Sequence, residues 1–363
     1  MGVLSGIRIV EIAGIGPGPF CGMLLADLGA EVILVERQEQ DADPLVELGP
    51  AAIVHRGKRS IALDLKDPAS IETVLRLVET ADGLIEGMRP GVMERLGLGP
   101  DVCLARNPRL AYGRVTGWGQ EGPLAQTAGH DLNYVGLSGA LWYAGQPGEP
   151  PVAPPTLTGD VGGGGLYLAI GLLASILHVR QGGMGQIIDA AIVDCSAHLT
   201  SLLLSLRAAG RMPTERGKGV LDGSHWSNSY RCADGRDVCI QTLEPRFYRI
   251  MLEKIGLAGD PDFKEQFDPS RWPEQRRKLA AHFASRPRDE WLALLDGSDA
   301  CYAPILSPEE AARHPHLAAR STYLEIDGML AAAPAPRFSG GDVAPGSVPC
   351  RGADTAAILA SLS

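Results

Sequence analysis

The sequence is poor in the features that mark several classes of protein. Its seven cysteines are odd in number, scattered and without a C-x-x-C pair, so neither a disulfide framework nor a thiolate metal site is indicated. Lys and Arg total 33 against 43 Asp and Glu, which gives a net charge of −10, and no Lys/Arg-rich run is present. A nucleic-acid partner is therefore not expected.

Long hydrophobic runs are also lacking. The longest mainly apolar stretch, residues 165–177, is shorter than the ~20 residues that a membrane-spanning helix needs. The first residues, MGVLSGIRIVEIAG, enter a strand-like run without the basic and apolar regions of a signal peptide. Together with cysteines that are expected to be reduced, this predicts a cytoplasmic protein without a membrane span.

Glycine and proline are abundant. The 45 Gly and 27 Pro make up roughly a fifth of the 363 residues, against about 12% on average. Such an excess indicates many tight turns or backbone brought close to a ligand. Two clusters, GIGPGP at 14–19 and GDVGGGG at 159–165, each precede a predicted helix and are expected to face a ligand.

The order of strand and helix patterns predicts an α/β fold with a large and a small domain. Strand-like runs alternate with helical patterns over residues 1–208, which is typical of a Rossmann-like domain with a mainly parallel sheet. Residues 209–228 are polar and Gly-rich and are predicted to be a linker. Residues 229–319, with a hairpin turn at Asp234-Gly235, predict a small α+β domain. The Pro-rich tail, about 320–363, is expected to complete the large domain.

The first turn resembles a dinucleotide-binding fingerprint only in part. A G-x-G-x-x-G motif that starts at Gly14 requires glycine at position 19, where Pro19 stands, and Pro17 removes a further N–H donor. Nicotinamide chemistry is therefore not favoured, and a tight strand-to-helix turn explains this backbone equally well. Arg37, directly after the second predicted strand, could bind a phosphate, although an arginine at a strand end is often simply solvated.

Three ionisable residues stand in contexts that packing does not require. His130 lies in AGHDLNY, Asp160 before four glycines, and Glu244 before a proline. Each has a structural alternative as a helix cap or first-turn residue. A His and a carboxylate on opposite faces of one carbon could remove and deliver a proton next to a carbonyl, with glycine N–H groups stabilising the enolate.

A long ordered series of segments resembles a known family. The segments are VEIAGIGPGPFCGMLLADLGAEVILVER, RGKRSIALDLK, LIEGMRPGVMERLGLGP, TGWGQEGP, AGHDLNYVGLSG, GDVGGGG, LDG, ADGRDV, LEPRFY and DACYAPIL. Over nearly the whole length, the chain is similar to the family III CoA-transferases, and within them to the α-methylacyl-CoA racemases.

The resemblance implies a site and an assembly. His130 and Asp160 would be the acid/base residues, and Glu244 of the partner subunit would orient His130. The fold would be an interlocked homodimer, with coenzyme A entering as part of an acyl-CoA substrate and with no separate cofactor and no metal. The residues implied to contact CoA are Arg37, Leu63, Asp64, Leu65, Lys66, Gly87, Met88, Arg89, Arg95, Gly129, Asp131, Leu132, Asn133 and Tyr134.

The implied activity is the epimerisation of 2-methylacyl-CoA thioesters through an enolate. Transferases of the same family instead use the Asp at position 160 as a nucleophile, through a mixed anhydride and an enzyme–CoA thioester. A protein that only binds acyl-CoA is a third possibility. The segment GSHWSNSY, residues 223–230, replaces a small apolar stretch of racemases. It is expected either beside the acyl group or as an unrelated surface loop.

Overall fold

The structure, a computed structural model, describes residues 2–38, 48–341 and 343–362. The chain divides into two compact units. Unit 1 comprises Met1–Ala140, Pro154–Leu199 and Pro315–Ser363, and unit 2 comprises Leu141–Ala153 and Thr200–His314. The division differs from the sequence-based boundaries, because residues 200–208 and the predicted linker 209–228 belong to unit 2.

The helices and strands alternate through the first half of the chain. They are β1 (Arg8–Ile12), α1 (Pro17–Asp27), β2 (Glu31–Glu36), β3 (Arg59–Ala62), α2 (Pro68–Glu79), β4 (Gly83–Glu86), α3 (Val92–Arg95), α4 (Pro100–Arg106), β5 (Ala111–Thr116), α5 (Asp131–Leu137), a π-helix (Leu157–Leu166), α6 (Tyr167–Arg180), β6 (Ile187–Ala191) and α7 (Ile192–Leu199). The elements that follow are α8 (Ser201–Ala208), β7 (Ser227–Arg231), β8 (Asp237–Gln241), α9 (Pro245–Lys254), α10 (Trp272–Phe283), α11 (Arg288–Leu295), β9 (Tyr302–Pro304), α12 (Pro308–Arg313), α13 (Pro315–Ala319), β10 (Tyr323–Ile326), β11 (Met329–Ala332) and α14 (Thr355–Ser361).

Unit 1 is built on a six-stranded parallel sheet, counted over the described residues. The strand order is β3-β2-β1-β4-β5-β6, with Val10 of β1 paired to Ile33 on one side and Leu84 on the other. This confirms the predicted Rossmann-like α/β fold. The strand order reverses between β1 and β4, and ligands of such sheets bind at the carboxyl ends of the strands at that point.

Each face of the sheet has its own apolar core. On one face, Val74 and Leu77 of α2 and Ile358 of α14 are buried with Tyr112 of β5. On the other face, side chains of α1 and α6 pack together. Both faces of the sheet are therefore covered, which explains the nearly continuous apolar strands.

The long apolar helix starts earlier than the sequence predicts. The helical pattern indicates a start near residue 163, whereas the π-helix begins at Leu157 and runs into α6 without a break. The combined 24 residues are long and apolar enough to cross a membrane by length and composition. Leu168, Leu172 and Ile176 are nevertheless buried in unit 1, and a core helix of a soluble protein meets the same criterion.

Unit 2 contains an antiparallel three-stranded sheet in the order β7-β8-β9. The β7–β8 hairpin turns around residues 232–236, with Gly235 at φ 78°, as the Asp-Gly pair predicts. Helices α9, α10 and α11 supply most of the remaining buried apolar side chains of this unit.

The segment 223–230 is not a surface loop. His225 and Trp226 are 0% and 1% exposed and lie in the core of unit 2. His225 Nε2 lies 2.7 Å from the Tyr248 hydroxyl, and the Trp226 indole N–H donates to the Gln266 carbonyl at 3.1 Å. The surface-loop alternative is therefore wrong for these two residues, because both side chains are buried.

Candidate active site

The turns after β2, β3 and β4 contain most of the predicted CoA contacts. Arg37 follows β2, residues 63–66 follow β3, and residues 87–89 follow β4. Because the sheet is parallel, these turns share its carboxyl edge. Arg37 and Arg89 are exposed there.

Two of the predicted cationic residues line one cavity. Lys66 and Arg95, both exposed, border a space of about 350 Å³. Its other lining residues are Leu65, Pro68, Ile71, Glu72 and Leu96. Two cations beside an apolar wall are suited to a ligand with a phosphate and an apolar part.

The turns that hold these residues are locally ordered. Asp64 Oδ1 accepts the N–H of Lys66 at 2.9 Å, while Leu63 is buried. After β4, Glu86 Oε2 accepts the N–H of Met88 at 2.7 Å, and Glu86 Oε1 accepts the Arg114 guanidinium at 2.6 Å. The buried ion pair therefore fixes the start of the turn that ends at Arg89.

His130 is the N-cap residue of α5. Its N–H donates to Asn133 Oδ1 at 3.0 Å, and its carbonyl accepts the N–H of Asn133 at 2.8 Å. This cap uses the backbone of His130, while the residue is exposed to solvent. Leu132, next to it on the first turn, is also exposed.

Tyr134 holds the peptide before His130. Its hydroxyl donates to the carbonyl of Gly129, and its ring meets Trp118 edge-on at 4.7 Å between centroids. A Cβ on Gly129 would lie 2.7 Å from the Tyr134 ring, and one on Gly117 would lie 2.0 Å from it. Both glycines therefore allow the tyrosine to pack against the backbone next to His130.

Asp160 is the fourth residue of the π-helix and is half-buried. Its N–H donates to Asp131 Oδ1 at 2.9 Å. A Cβ on Gly16, the N-cap of α1, would lie 3.2 Å from Asp160 Oδ2, so this carboxyl group lies beside the N-terminus of α1. Pro17 and Pro19, the first and third residues of α1, have no N–H group. Gly18 therefore has the one N–H among the first three residues of this helix.

The surroundings of Asp160 favour its protonated form. Burial and the negative charge of Asp131 raise the pKa of Asp160 to about 6, while the charge of His130 acts in the opposite direction. The structure thus brings Asp160, which lies beside the N-terminus of α1, next to Asp131 and within electrostatic reach of His130. A carboxyl group with such a pKa can exchange protons near neutral pH.

The glycines after Asp160 have a packing role that the sequence did not indicate. A Cβ would lie 2.6 Å from Ser196 Oγ at Gly163, 2.6 Å from Pro17 Cβ at Gly164, and 2.7 Å from Phe20 Cδ1 at Gly165. Their N–H groups lie inside the π-helix, where each N–H donates to the carbonyl five residues earlier. Close helix packing, rather than approach of a ligand, therefore accounts for these three glycines.

Glu244 belongs to unit 2. It is the exposed N-cap residue of α9, and its carbonyl accepts the N–H of Tyr248 at 3.0 Å. Its pairing with His130 stays a prediction. Among the residues that the structure describes, no group of three or more His, Cys, Asp or Glu side chains could hold a metal ion.

Comparisons with known proteins agree over nearly the whole chain. The sequence profile of CoA-transferase family III matches residues 4–355. The chain is 40% identical over 335 residues to the alpha-methylacyl-CoA racemase of Mus musculus, an alignment that covers 92% of this chain and 85% of the relative. It is 38% identical over 343 residues to a succinate–glutarate CoA-transferase of Agrobacterium fabrum, covering 89% and 85% of the two chains. The crystal structure of a CAIB/BAIF family protein from Brucella suis matches 100% of both chains with a TM-score of 0.83 at 28% identity.

Proposed function

Because the chain belongs to CoA-transferase family III, we propose that it is an α-methylacyl-CoA racemase, which interconverts the two epimers of 2-methylacyl-CoA thioesters. One observation supports this function above all. The Asp160 carboxyl group, whose pKa is raised to about 6, lies within electrostatic reach of His130. A carboxyl group with such a pKa and a nearby imidazole are the pair that a two-base proton transfer needs.

The proposed mechanism moves one proton off the α-carbon and another onto its opposite face. One of the two residues, Asp160 or His130, takes the α-proton as the C–H bond breaks, and the electron pair delocalises into the thioester carbonyl as an enolate. The other residue then delivers its proton to the opposite face. The enolate oxygen would lie near the N-terminus of α1, where the N–H of Gly18 and the helix dipole favour negative charge.

CoA binding is proposed along the carboxyl edge of the sheet. Lys66 and Arg95, which line one cavity, would bind phosphate groups of CoA, and the exposed Arg37 and Arg89 follow β2 and β4. Local cations can hold an anion in spite of the net charge of −10. Salt screens the charges that lie farther from the anion than about 10 Å.

A homodimer is part of the proposal. Leu166, Ile170 and Leu177 share one face of the helix at 157–180 and are 40%, 62% and 58% exposed. Neighbouring exposed apolar side chains of this kind mark association surfaces. The mass in solution, measured by light scattering, is expected to be twice that of the chain.

A CoA-transferase is the second candidate. The relative from Agrobacterium fabrum supports it, as does the presence of a half-buried carboxyl group, Asp160, that could act as the nucleophile. This reaction predicts a covalent CoA thioester at Asp160 when acyl-CoA is added without an acceptor. Intact-protein mass spectrometry detects such an adduct.

The deciding experiment is incorporation of deuterium. Both epimers of several 2-methylacyl-CoA thioesters are incubated in deuterated buffer, and loss of the α-proton signal is followed by NMR. We expect exchange with both epimers in the wild type, a loss of roughly 10²–10⁴-fold in His130→Ala and Asp160→Ala, and full exchange in His316→Ala, an exposed histidine of unit 1.

The three possible activities give different results in this experiment. A mass adduct without α-proton exchange would replace racemase by transferase. Tight acyl-CoA binding with neither exchange nor adduct would leave a binding protein. Undiminished exchange in the double variant His130→Ala/Asp160→Ala would place the chemistry at another site.

A further inference from the structure

One carboxylate connects the helix that starts after His130 with the helix that contains Asp160. Asp131 Oδ1 accepts the N–H of Asp160 at 2.9 Å, and Asp131 Oδ2 accepts the N–H of Thr156 at 3.2 Å. Asp131 directly follows His130 and is the first residue of α5. Its two oxygens therefore bond to residues 25 and 29 positions further along the chain.

The N–H groups that Asp131 accepts are ones that the π-helix cannot satisfy itself. The first N–H groups of a helix lack a carbonyl one turn earlier and need an outside acceptor. Thr156, the N-cap of the π-helix, also has a left-handed backbone with φ 61°, which is uncommon for a β-branched residue. The Asp131 carboxylate thus accepts two N–H groups of this first turn, which the Val161 N–H to Thr156 carbonyl bond at 2.9 Å also closes.

Gly159 fits this contact. A Cβ at position 159 would lie 2.3 Å from Asp131 Oδ1 and 2.8 Å from Val135 Cγ2. No side chain can stand there while the carboxylate keeps its hydrogen bond to Asp160. The contact with the Asp131 carboxylate therefore explains why position 159 is a glycine.

We propose that Asp131 is a positioning residue, whose carboxylate fixes the first turn of the π-helix and so holds the Asp160 carboxyl group in place relative to His130. The catalytic consequence rests on the proposed function. The positioning itself does not, because it concerns hydrogen bonds within unit 1.

This role differs from that of a CoA contact, which the family resemblance implies for Asp131. The side chain is directed at the N–H groups of Thr156 and Asp160. Loss of a ligand contact raises KM, whereas loss of positioning lowers kcat with little change in KM.

Asp131 also changes the charge around Asp160. Three titratable groups act on Asp160 or feel its charge: Asp131 raises the pKa of Asp160, His130 lowers it, and Tyr134 has its own pKa raised in part by Asp160. Removing the Asp131 charge should therefore lower the pKa of Asp160. The acidic limb of a pH–rate profile should move to lower pH.

The test compares Asp131→Ala and Asp131→Asn with the control Asp82→Asn. Asp82 likewise accepts a distant backbone N–H, that of Arg8 at 2.9 Å, but lies at the amino edge of the sheet. Hydrogen–deuterium exchange measured by mass spectrometry should be faster over residues 156–166 in Asp131→Ala than in the wild type and in Asp82→Asn. Asp131→Asn retains one oxygen acceptor and should show an intermediate effect.

Kinetics of α-proton exchange provide the second measurement. For Asp131→Ala we expect kcat to fall by roughly 10²-fold with little change in KM, and the acidic limb to shift to lower pH. Asp131→Asn should recover part of kcat. If Asp131→Ala does not fold, hydrogen–deuterium exchange and kinetics of Asp131→Asn alone test the proposal.

Failure of the proposal and failure of the proposed function give different results. Unchanged hydrogen exchange over residues 156–166 in the variants would overturn the positioning role. So would a raised KM with unchanged kcat, which would make Asp131 a CoA contact. A wild type without α-proton exchange would remove the racemase function, while the hydrogen-exchange result would still decide the role of Asp131.

Discussion

Two carboxyl groups of unit 1 lie in surroundings that disfavour their charge, with different consequences. Asp160 is half-buried beside the open N-terminus of α1, and its pKa is raised to about 6. Glu11 of β1 is fully buried, and burial raises its pKa as well, but Lys58 Nζ lies 2.8 Å from its Oε1. The first group can exchange protons with a ligand, whereas the second is committed to an ion pair inside the fold.

The raised pKa of Asp160 predicts a pH dependence of the reaction. In either direction the site needs one proton shared between Asp160 and His130, so the doubly protonated form is inactive. We expect kcat/KM to fall below about pH 6, with a limiting slope of tenfold per pH unit. Because the two forms of the site with one proton occur in a ratio that does not depend on pH, both directions must show the same limb.

The measurement is the rate of α-proton exchange for each epimer across the acidic range. A profile without any ionisation between about pH 5 and pH 7 would contradict the assignment of the limb to Asp160. Different limbs for the two epimers would contradict a single proton shared by the pair.

The ion pair inside unit 1 predicts a stability effect. Lys58 Nζ donates to Glu11 Oε1 at 2.8 Å and to the Pro19 carbonyl at 3.0 Å, and both side chains of the pair are 0% exposed. Lys58→Met leaves the Glu11 carboxyl group buried without its partner and should lower the free energy of unfolding by about 3–5 kcal/mol. Urea denaturation measures this change.

Two further variants make the result specific to the pair. Glu11→Gln combined with Lys58→Met should recover part of the loss, because no buried charge remains. Lys254→Met, at an exposed position of α9, should leave the unfolding midpoint nearly unchanged. A Lys58→Met protein as stable as the wild type would show that the pair contributes little.

At the scale of single elements, the sequence did not predict that Asp160 and the four glycines after it lie in a π-helix. The sequence predicts a helix only from about residue 163 and glycines that face a ligand, because glycine is among the poorest helix formers. The structure instead has a π-helix through them, since Gly163, Gly164 and Gly165 fit closely against α7 and α1. Tertiary packing overrides intrinsic propensity here, and no local pattern in the sequence reveals it.

Gly164→Ala tests this packing. The added Cβ would lie 2.6 Å from Pro17 Cβ, so the first turn of α1 would have to move. We expect the free energy of unfolding to fall by about 1–3 kcal/mol. Activity should fall as well, because Asp160 lies beside the same turn. Differential scanning calorimetry and the α-proton exchange assay measure the two effects.

Gly340→Ala is the matched control. Position 340 lies in unit 1, and an added Cβ would meet nothing within 4 Å there. Its stability and activity should match those of the wild type. If Gly164→Ala behaved in the same way, the glycines would have to be explained by something other than close packing.

At the scale of the whole molecule, the alternation of strands and helices could be predicted from the sequence, whereas the partners of particular side chains could not. Alternating strand and helix patterns predict the parallel sheet, and positions directly after strands predict that Arg37 and Lys66 lie at one edge. The burial of His225 could not be predicted, because a polar segment is ordinarily exposed and its partner Tyr248 is distant in sequence. The structure assigns residues 209–228 to unit 2, although their polar, Gly-rich composition is typical of a linker.

Glu244 belongs to unit 2 and His130 to unit 1, and the expected pairing of Glu244 with the His130 of another subunit predicts complementation between two inactive variants. In the proposed homodimer, His130→Ala and Glu244→Ala would each impair every site. In a mixed dimer, one site combines His130 of the Glu244→Ala chain with Glu244 of the His130→Ala chain and is intact, while the other site lacks both. Co-expression with random pairing makes half of the dimers mixed, so total activity should reach about a quarter of the wild-type value.

Co-expression is required, because chains of an interlocked dimer should not exchange after folding. Mixing the two purified variants is therefore the matched control and should give only the sum of their residual activities. Two affinity tags isolate the mixed dimer, whose activity should be about half that of the wild type. Mixed dimers no more active than their parents would place Glu244 and His130 in the same subunit's site, and the family's interlocked arrangement would then not describe the catalytic unit of this chain.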